Sequence, residues 1–287
     1  MTKAKNKKLK IISIILVVLL GVISILGLFN YFIYHNNSKM VVLTWHRVVA
    51  SEIKEKYYKD NEWVNDLTLF EKQIKYLYDN GYKTLSMDEY YDWLTGKVKY
   101  NTSKTCVLTF DDGDIENYYN VLPVLKKYNF KATVFIVGSL IKPTVDWPKN
   151  SVTPYYLSEE LINKMREEYP NFEIQSHTYN FHRKGEDGVP IVSKMSRAEL
   201  EADFDAMKKF GTKYLAYPHG YNTKLIQEVA EEKGYNLAFG FTKYGPSSKN
   251  DNFYNIRRVK VSGNKGMLNF KWNLRLRLTN KKPTTTY

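Results

Sequence analysis

One unbroken apolar run opens the chain, and beyond it the apolar positions fall into short stretches of helical or alternating period. Residues 11–33 are apolar except for Ser13, Ser24 and Asn30, with Gly21 and Gly27 inside the run. That is long enough to cross a bilayer core of ~30 Å as a helix. Lys3, Lys5, Lys7, Lys8 and Lys10 precede it, which predicts a cytoplasmic N-terminus and places everything after the run outside the cell. A cleaved signal peptide, giving a secreted protein, is the alternative. The length of the run and the lack of a clear Ala-x-Ala site after it favour the anchor.

From residue 40 onward strand-like and helix-like patterns alternate. Strands are predicted at residues 40–45, 83–85, 104–110, 132–137, 172–175, 214–217, 237–241 and 256–261. Helices are predicted at 67–78, 87–94, 118–128, 159–168, 197–210 and 223–233, several behind a capping residue: Ser86, Ser158, and Ser196 with Glu199 three positions later. Residues 139–157, with three prolines, read as a long loop over one face. Such alternation implies parallel strands covered by helices, as an open sheet or a closed barrel. The chain divides into a basic segment (1–10), the anchor (11–33), a linker (34–39), one α/β domain (40–265) and a basic tail (266–287). In the tail Phe270, Trp272, Leu274, Leu276 and Leu278 alternate with polar residues, a period of two that predicts a strand or an apposed edge, packed on the domain or else bringing basic residues to anionic wall polymer or lipid, with packing preferred. The end of the tail, residues 281–287, is expected to be disordered.

Charge adds little to this picture. The 287 residues carry a formal +13, but six of the 43 Lys and Arg lie in residues 1–39 without any acid, and the other 37 face 30 acids. A lysine-rich anchor explains nearly half the excess, so no nucleic-acid partner is implied. The only cysteine, Cys106, falls in an apolar run and reads as a buried structural residue.

The candidate chemistry sits at the ends of predicted strands. Asp111 and Asp112 follow the strand 104–110, His177 follows 172–175 with His182 five residues on, and Pro218-His219-Gly220 follows 214–217. In parallel α/β folds the C-terminal strand ends converge on one rim. Residues five apart on a helix point about 140° apart, so His177 and His182 can share a metal only from a loop. Asp112, His177 and His182 would make a two-histidine, one-carboxylate site with open positions for water and substrate. Asp111 would be the base that deprotonates the water, and a backbone N–H after Pro218 would help hold the oxyanion. These features point to a hydrolase.

Thr109-Phe110-Asp111-Asp112-Gly113 resembles the first motif of the polysaccharide deacetylases (carbohydrate esterase family 4, the NodB-homology group), and His177-Thr178 with His182 resembles the second, in its five-residue spacing. With Trp45-His46-Arg47-Val48 and Ala216-Tyr217-Pro218-His219-Gly220, the set is similar to the poly-β-1,6-N-acetylglucosamine deacetylases of biofilm-forming bacteria. The resemblance spans about residues 40–261. It implies a deformed (β/α) barrel of about seven parallel strands and metal-dependent removal of N-acetyl groups from a glycan. Carried over residue by residue, Asp111 matches the catalytic base, and Asp112, His177 and His182 the metal ligands. His46 matches the general acid of the biofilm-glycan branch. His219 stands where the family usually has tyrosine and keeps the backbone N–H that faces the oxyanion. The family's arginine four residues before Pro218 is Tyr214 here; Arg258, or else Arg257 or Arg47, would orient Asp111 instead.

Each residue also has a plainer reading: Asp-Asp-Gly as a turn, the histidines as core or surface residues, and Asp114 and Glu116 as acids that favour the N-terminus of the next helix. Four of the five histidines fall in rim motifs, which favours the chemical reading. The expectation is a membrane-anchored, single-pass hydrolase of a Gram-positive cell surface. It would deacetylate N-acetylglucosamine residues of an exopolysaccharide or of peptidoglycan. It would use one divalent metal, zinc first and cobalt, nickel or iron as alternatives. A catalytically degenerate glycan-binding surface protein of the same fold is the alternative; a phosphoesterase lacks evident ligands for a second metal.

Overall fold

A computed structural model of the chain describes residues 2–35 and 39–276. The first unit is one helix, Thr2–His35, whose stretch Lys10–Leu28 is long and apolar enough to cross a membrane.

The second unit is built on seven strands: β1 (Lys39–Trp45), β2 (Thr105–Phe110), β3 (Ala132–Ile136), β4 (Phe172–Ser176), β5 (Tyr214–Ala216), β6 (Leu237–Tyr244) and β7 (Ile256–Lys260). All neighbouring pairs are parallel, in the order β1-β7-β6-β5-β4-β3-β2, and β1 pairs again with β2, so the sheet closes on itself. The open sheet left possible by the sequence is thereby excluded, and closure removes the unpaired edges of these seven strands. Short strands Lys83–Thr84 and Ser247–Ser248 lie beside β2 and β1.

Alternation along each strand sorts the core into two layers. Met40, Val42, Val107, Phe135, Tyr214, Ala216, Leu237, Phe239 and Ile256 share one buried cluster with Tyr90 and Trp93 of the helix Met87–Leu94. Val41, Leu43, Trp45, Cys106, Leu108, Phe110, Val134 and Ile136 face the other way, into a cluster with the helices Leu67–Asp79 and Glu159–Glu168. Even positions of β1 and odd positions of β2 therefore fill the barrel. Thr44 and Thr109 continue that phase and meet at 2.8 Å between their hydroxyl oxygens. Cys106 is buried, as expected, and burial pushes its thiol up to about 12.

Most helices follow the sequence pattern, and the departures have local causes. The helix expected at 118–128 begins as a π turn, Asn117–Val121, before Leu122–Tyr128. Pro123 has no N–H to give the Tyr119 carbonyl, so an α ladder cannot run through this point. Residues 197–210 form an α-helix only over Arg197–Ala206 and tighten to a 3-10 turn over Met207–Phe210, closed by Gly211 at φ 70°. The tail is a correction. Met267–Arg275 is a helix and not a strand, with Phe270, Asn273 and Leu274 buried. Its apolar positions satisfy both periods, and packing of Phe270 near Trp45 and Tyr76 decides for the helix. The expectation that the tail packs on the domain stands; residues 281–287 lie outside the described residues.

Candidate active site

The inward phase of the strands delivers the site. His46 follows 42 and 44 in β1, Asp111 follows 107 and 109 in β2, and the Asp111 N–H extends the ladder by donating to the Trp45 carbonyl at 3.1 Å. Arg258 lies two positions beyond the inward Ile256 in β7, at a register shift against β6 between Arg257 and Arg258. These three side chains form the uppermost layer of the barrel interior.

Asp111 is gripped on both oxygens: Arg258 donates from its two terminal nitrogens at 2.7 and 2.8 Å. The guanidinium is 0% exposed and lies 4.2 Å from the Phe241 ring centroid. Burial favours the protonated acid, but Arg258, then His177 and His46, outweigh it and hold the Asp111 carboxyl below its ordinary range. Of the three arginines considered for Asp111, Arg257 pairs instead with Asp251 and Arg47 with Glu116.

His46 Nε2 lies 3.9 Å from Asp111 Oδ2. Its ring rests against Trp63 at 4.6 Å and Phe241 at 6.4 Å. Burial lowers its pKa, with the charges of Asp112 and Asp111 acting the other way. Neither Trp63 nor Phe241 was singled out from the sequence. Phe241 was legible as the next inward position after Leu237 and Phe239; nothing in the pattern around Trp63 marks it.

At the mouth, one ligand atom each from Asp112, His177 and His182 lies within 4.8 Å of the others. Asp112 Oδ1 is 3.5 Å from His177 Nε2 and 3.2 Å from His182 Nε2, and this buried oxygen has no hydrogen-bond partner. A buried carboxylate oxygen left bare between two imidazoles fits a cation bound there. The histidine states fit as well. His177 Nδ1 is 2.7 Å from the Ala216 carbonyl, which can only accept, so Nδ1 carries a proton and Nε2 is the nitrogen turned to the site, where burial lowers the ring's pKa but Asp112 and Asp111 outweigh it and raise it. Burial, with His177 beside it, pushes His182 down to about 4, the neutral ligating form. Burial opposes the Asp112 anion, but His177, His46 and His182 hold it ionised.

Backbone strain gathers here. Asp112 (φ 73°), Thr178 (φ 68°) and His219 (φ 56°) all lie in the left-handed region, which L-residues enter at a cost and keep where the surroundings enforce it. His219 occupies a turn closed by the N–H groups of Gly220 and Tyr221 on the carbonyls of Tyr217 and Pro218, and its ring lies 4.5 Å from that of His182. A Cβ on Gly220 would come within 2.5 Å of the Phe241 backbone nitrogen, so this turn requires glycine.

Asp114 and Glu116 are not solvated helix-start acids. Both are buried, and Arg47 donates to Glu116 Oε1 from two nitrogens at 2.9 and 2.5 Å. Arg47 also donates to the Ser151 and Val152 carbonyls, fastening the loop after β3 beside the mouth.

Comparison with known proteins follows the same line. A family model described as polysaccharide deacetylase matches residues 99–238. The Bacillus subtilis protein YxkH, named for that family, is 34% identical over 194 residues, 67% of this chain. The match spans 64% of that protein's length, just under two thirds. A Staphylococcus aureus poly-β-1,6-N-acetyl-D-glucosamine N-deacetylase is 26% identical over 249 residues, 80% of each chain. Among solved structures, Streptococcus pyogenes deacetylase PplD in complex with acetate superimposes with a TM-score of 0.66 at 26% identity, covering 83% of this chain and 99% of that one.

Proposed function

This chain belongs to the polysaccharide deacetylase family, and from that premise we propose that it is a metal-dependent N-deacetylase of N-acetylglucosamine residues in an extracellular polysaccharide. The single observation that carries the reading is Asp111, locked by Arg258 beside the bare Asp112 oxygen and its two imidazoles. The name of the Staphylococcus aureus relative supports poly-β-1,6-N-acetylglucosamine as the first substrate to try. Acetate, found with the Streptococcus relative, is the acid such a reaction releases.

In this reading Asp112, His177 and His182 hold one divalent ion, zinc first. When bound, the ion supplies Lewis acidity toward the acetyl carbonyl and lowers the pKa of water. Asp111 takes the proton of the attacking water, and Arg258 keeps it ionised and aimed. The His219 N–H faces the oxyanion. His46, 3.9 Å from Asp111, takes up the proton that Asp111 has received and hands it to the departing amine as the carbon–nitrogen bond breaks and acetate leaves. The helix Thr2–His35 serves as a membrane anchor with the barrel outside the cell, or as a signal sequence that is removed.

The test uses the full-length protein in detergent micelles. Acetate release is measured from β-1,6-linked and β-1,4-linked N-acetylglucosamine oligomers and from peptidoglycan. Release should vanish with a chelator and return with Zn²⁺, Co²⁺ or Ni²⁺. Glycan binding with no acetate release under any metal would overturn the reading in favour of a glycan-binding protein.

A further inference from the structure

His177 and His182 lie on a loop, and a loop does not fix two ligands by itself. Four backbone N–H groups lie between them, and the protein supplies a partner for each. Thr178 N–H donates to Ser176 Oγ at 3.2 Å, and Phe181 N–H donates to Thr178 Oγ1 at 3.3 Å. The two in the middle share one carboxylate: Tyr179 N–H donates to Asp203 Oδ1 and Asn180 N–H to Asp203 Oδ2, both at 2.7 Å. On the other side, the Thr178 and Tyr179 carbonyls accept from Gly138 and Ser139 N–H at 3.1 and 2.7 Å. The loop is thus pinned between the end of β3 and the helix Arg197–Ala206.

Asp203 is the charged member of this network and is misplaced by the ordinary rules of helix patterning. It is 6% exposed and sits among Leu200 and Phe204, on the face that packs against Leu215 and Tyr217. An acid in an apolar stripe costs stability unless it is fully satisfied. Here it is satisfied by two short, charge-assisted bonds to backbone, the stronger kind. Burial pushes its carboxyl up to about 6 against the pull of those two N–H groups, so it remains ionised at neutral pH.

We propose that Asp203 is the positioning residue of the metal-binding loop: by taking two successive N–H groups on its two oxygens, it sets His177 and His182 in their ligating places before the ion arrives. This rests on the metal-dependent reading above. Asp203 touches neither ion nor substrate. The nearly isosteric Asp203→Asn keeps one acceptor but turns an NH₂ donor toward the other N–H, so one bond becomes a repulsion. A residue that merely fastened the helix to the barrel would lower the melting temperature and leave metal affinity alone.

The full-length protein in detergent micelles, stripped of metal, is titrated with Co²⁺ and followed by visible absorption. Asp203→Asn should bind Co²⁺ about 10–100-fold more weakly than wild type, with an altered ligand-field spectrum. Asp205→Asn, on the same helix but paired with Lys208 and Lys233 at the surface, should leave both unchanged. A folded Asp203→Asn with wild-type spectrum and affinity within twofold overturns the proposal alone. Wild type that binds no Co²⁺ overturns the metal-dependent reading with it. Hydrogen exchange of the metal-free wild type needs no variant: amides 178–181 should exchange slowly, and exchange at the rate of an open loop would also overturn the proposal.

Discussion

Asp111 and Arg258 lie 147 residues apart and meet through two parallel hydrogen bonds of 2.7 and 2.8 Å, with side chains 2% and 0% exposed. The pair is both a structural lock and an electrostatic setting. Removing one partner strands the other's charge in the barrel, which costs about 3–5 kcal/mol, whereas replacing both costs less. Arg258→Met should therefore lower the denaturation midpoint of the full-length protein markedly, and Arg258→Met with Asp111→Asn should recover part of the loss. Equal loss in the single and double variants would dissolve the coupling.

The same bond governs pH dependence. The Asp111 carboxyl is held below its ordinary value of 3.8. A depressed acid contributes stability that is present above the unfolded pKa and is lost as pH falls through the folded one. Arg258→Lys, which offers a point charge in place of a planar fork, should raise the Asp111 pKa. The acidic limb of kcat/KM for acetate release should then move to higher pH. An unmoved limb would remove Arg258 from control of the base.

The His219 turn gives a prediction that separates transition-state contacts from metal binding. Gly220 stands at φ 69° with no room for a methyl group beside Phe241. Gly220→Ala must shift the turn, and with it the His219 N–H proposed to face the oxyanion. Loss of one such donor costs about 10²–10³ in kcat. We expect that loss in kcat with Co²⁺ affinity unchanged, since the three side chains proposed to hold the metal, Asp112, His177 and His182, stand outside the turn. Weakened metal binding of similar size would assign the turn to the metal site instead.

What the sequence alone could reveal follows the range of the interactions. The strands that end at His46 and Asp111 are local and showed as short apolar runs; which of their faces turns into the barrel was not legible, because both faces are buried. The choice of Arg258 over Arg257 and Arg47 was not legible. It depends on a register shift between β6 and β7 and on Asp251 and Glu116 claiming the other two guanidiniums. Asp114 and Glu116 looked like helix-start acids because their spacing is right for that role. Glu116 is instead paired with Arg47, 69 residues away in the chain, and Asp114 is bridged through its backbone to Tyr156. The tail read as a strand because its apolar residues satisfy two periods at once, and only tertiary packing chooses between them. Asp203 left a trace, an acid within the stripe Leu200–Phe204–Met207, but its partners are backbone groups, which no side-chain pattern can show.

A last prediction concerns Glu173, inside the barrel and away from the proposed chemistry. Its Oε2 accepts from the Met87 N–H at 3.0 Å and from the Thr133 hydroxyl at 3.2 Å. Burial nevertheless raises its pKa above 4.5, the two hydrogen bonds opposing. The native state therefore binds this proton more tightly than the unfolded chain does, and stability falls as pH rises from 4.5 through the folded value. Glu173→Gln keeps a carbonyl oxygen for both donors and removes the charge. The variant should be more stable than wild type at pH 8 and gain nothing at pH 4, read from thermal denaturation of the metal-free full-length protein. Every other titrating group is common to both proteins, so the difference between the two curves belongs to Glu173. A variant less stable than wild type at pH 8 would mean that folding lowers the Glu173 pKa instead, the Met87 helix N-terminus, by favouring the anion, outweighing its burial.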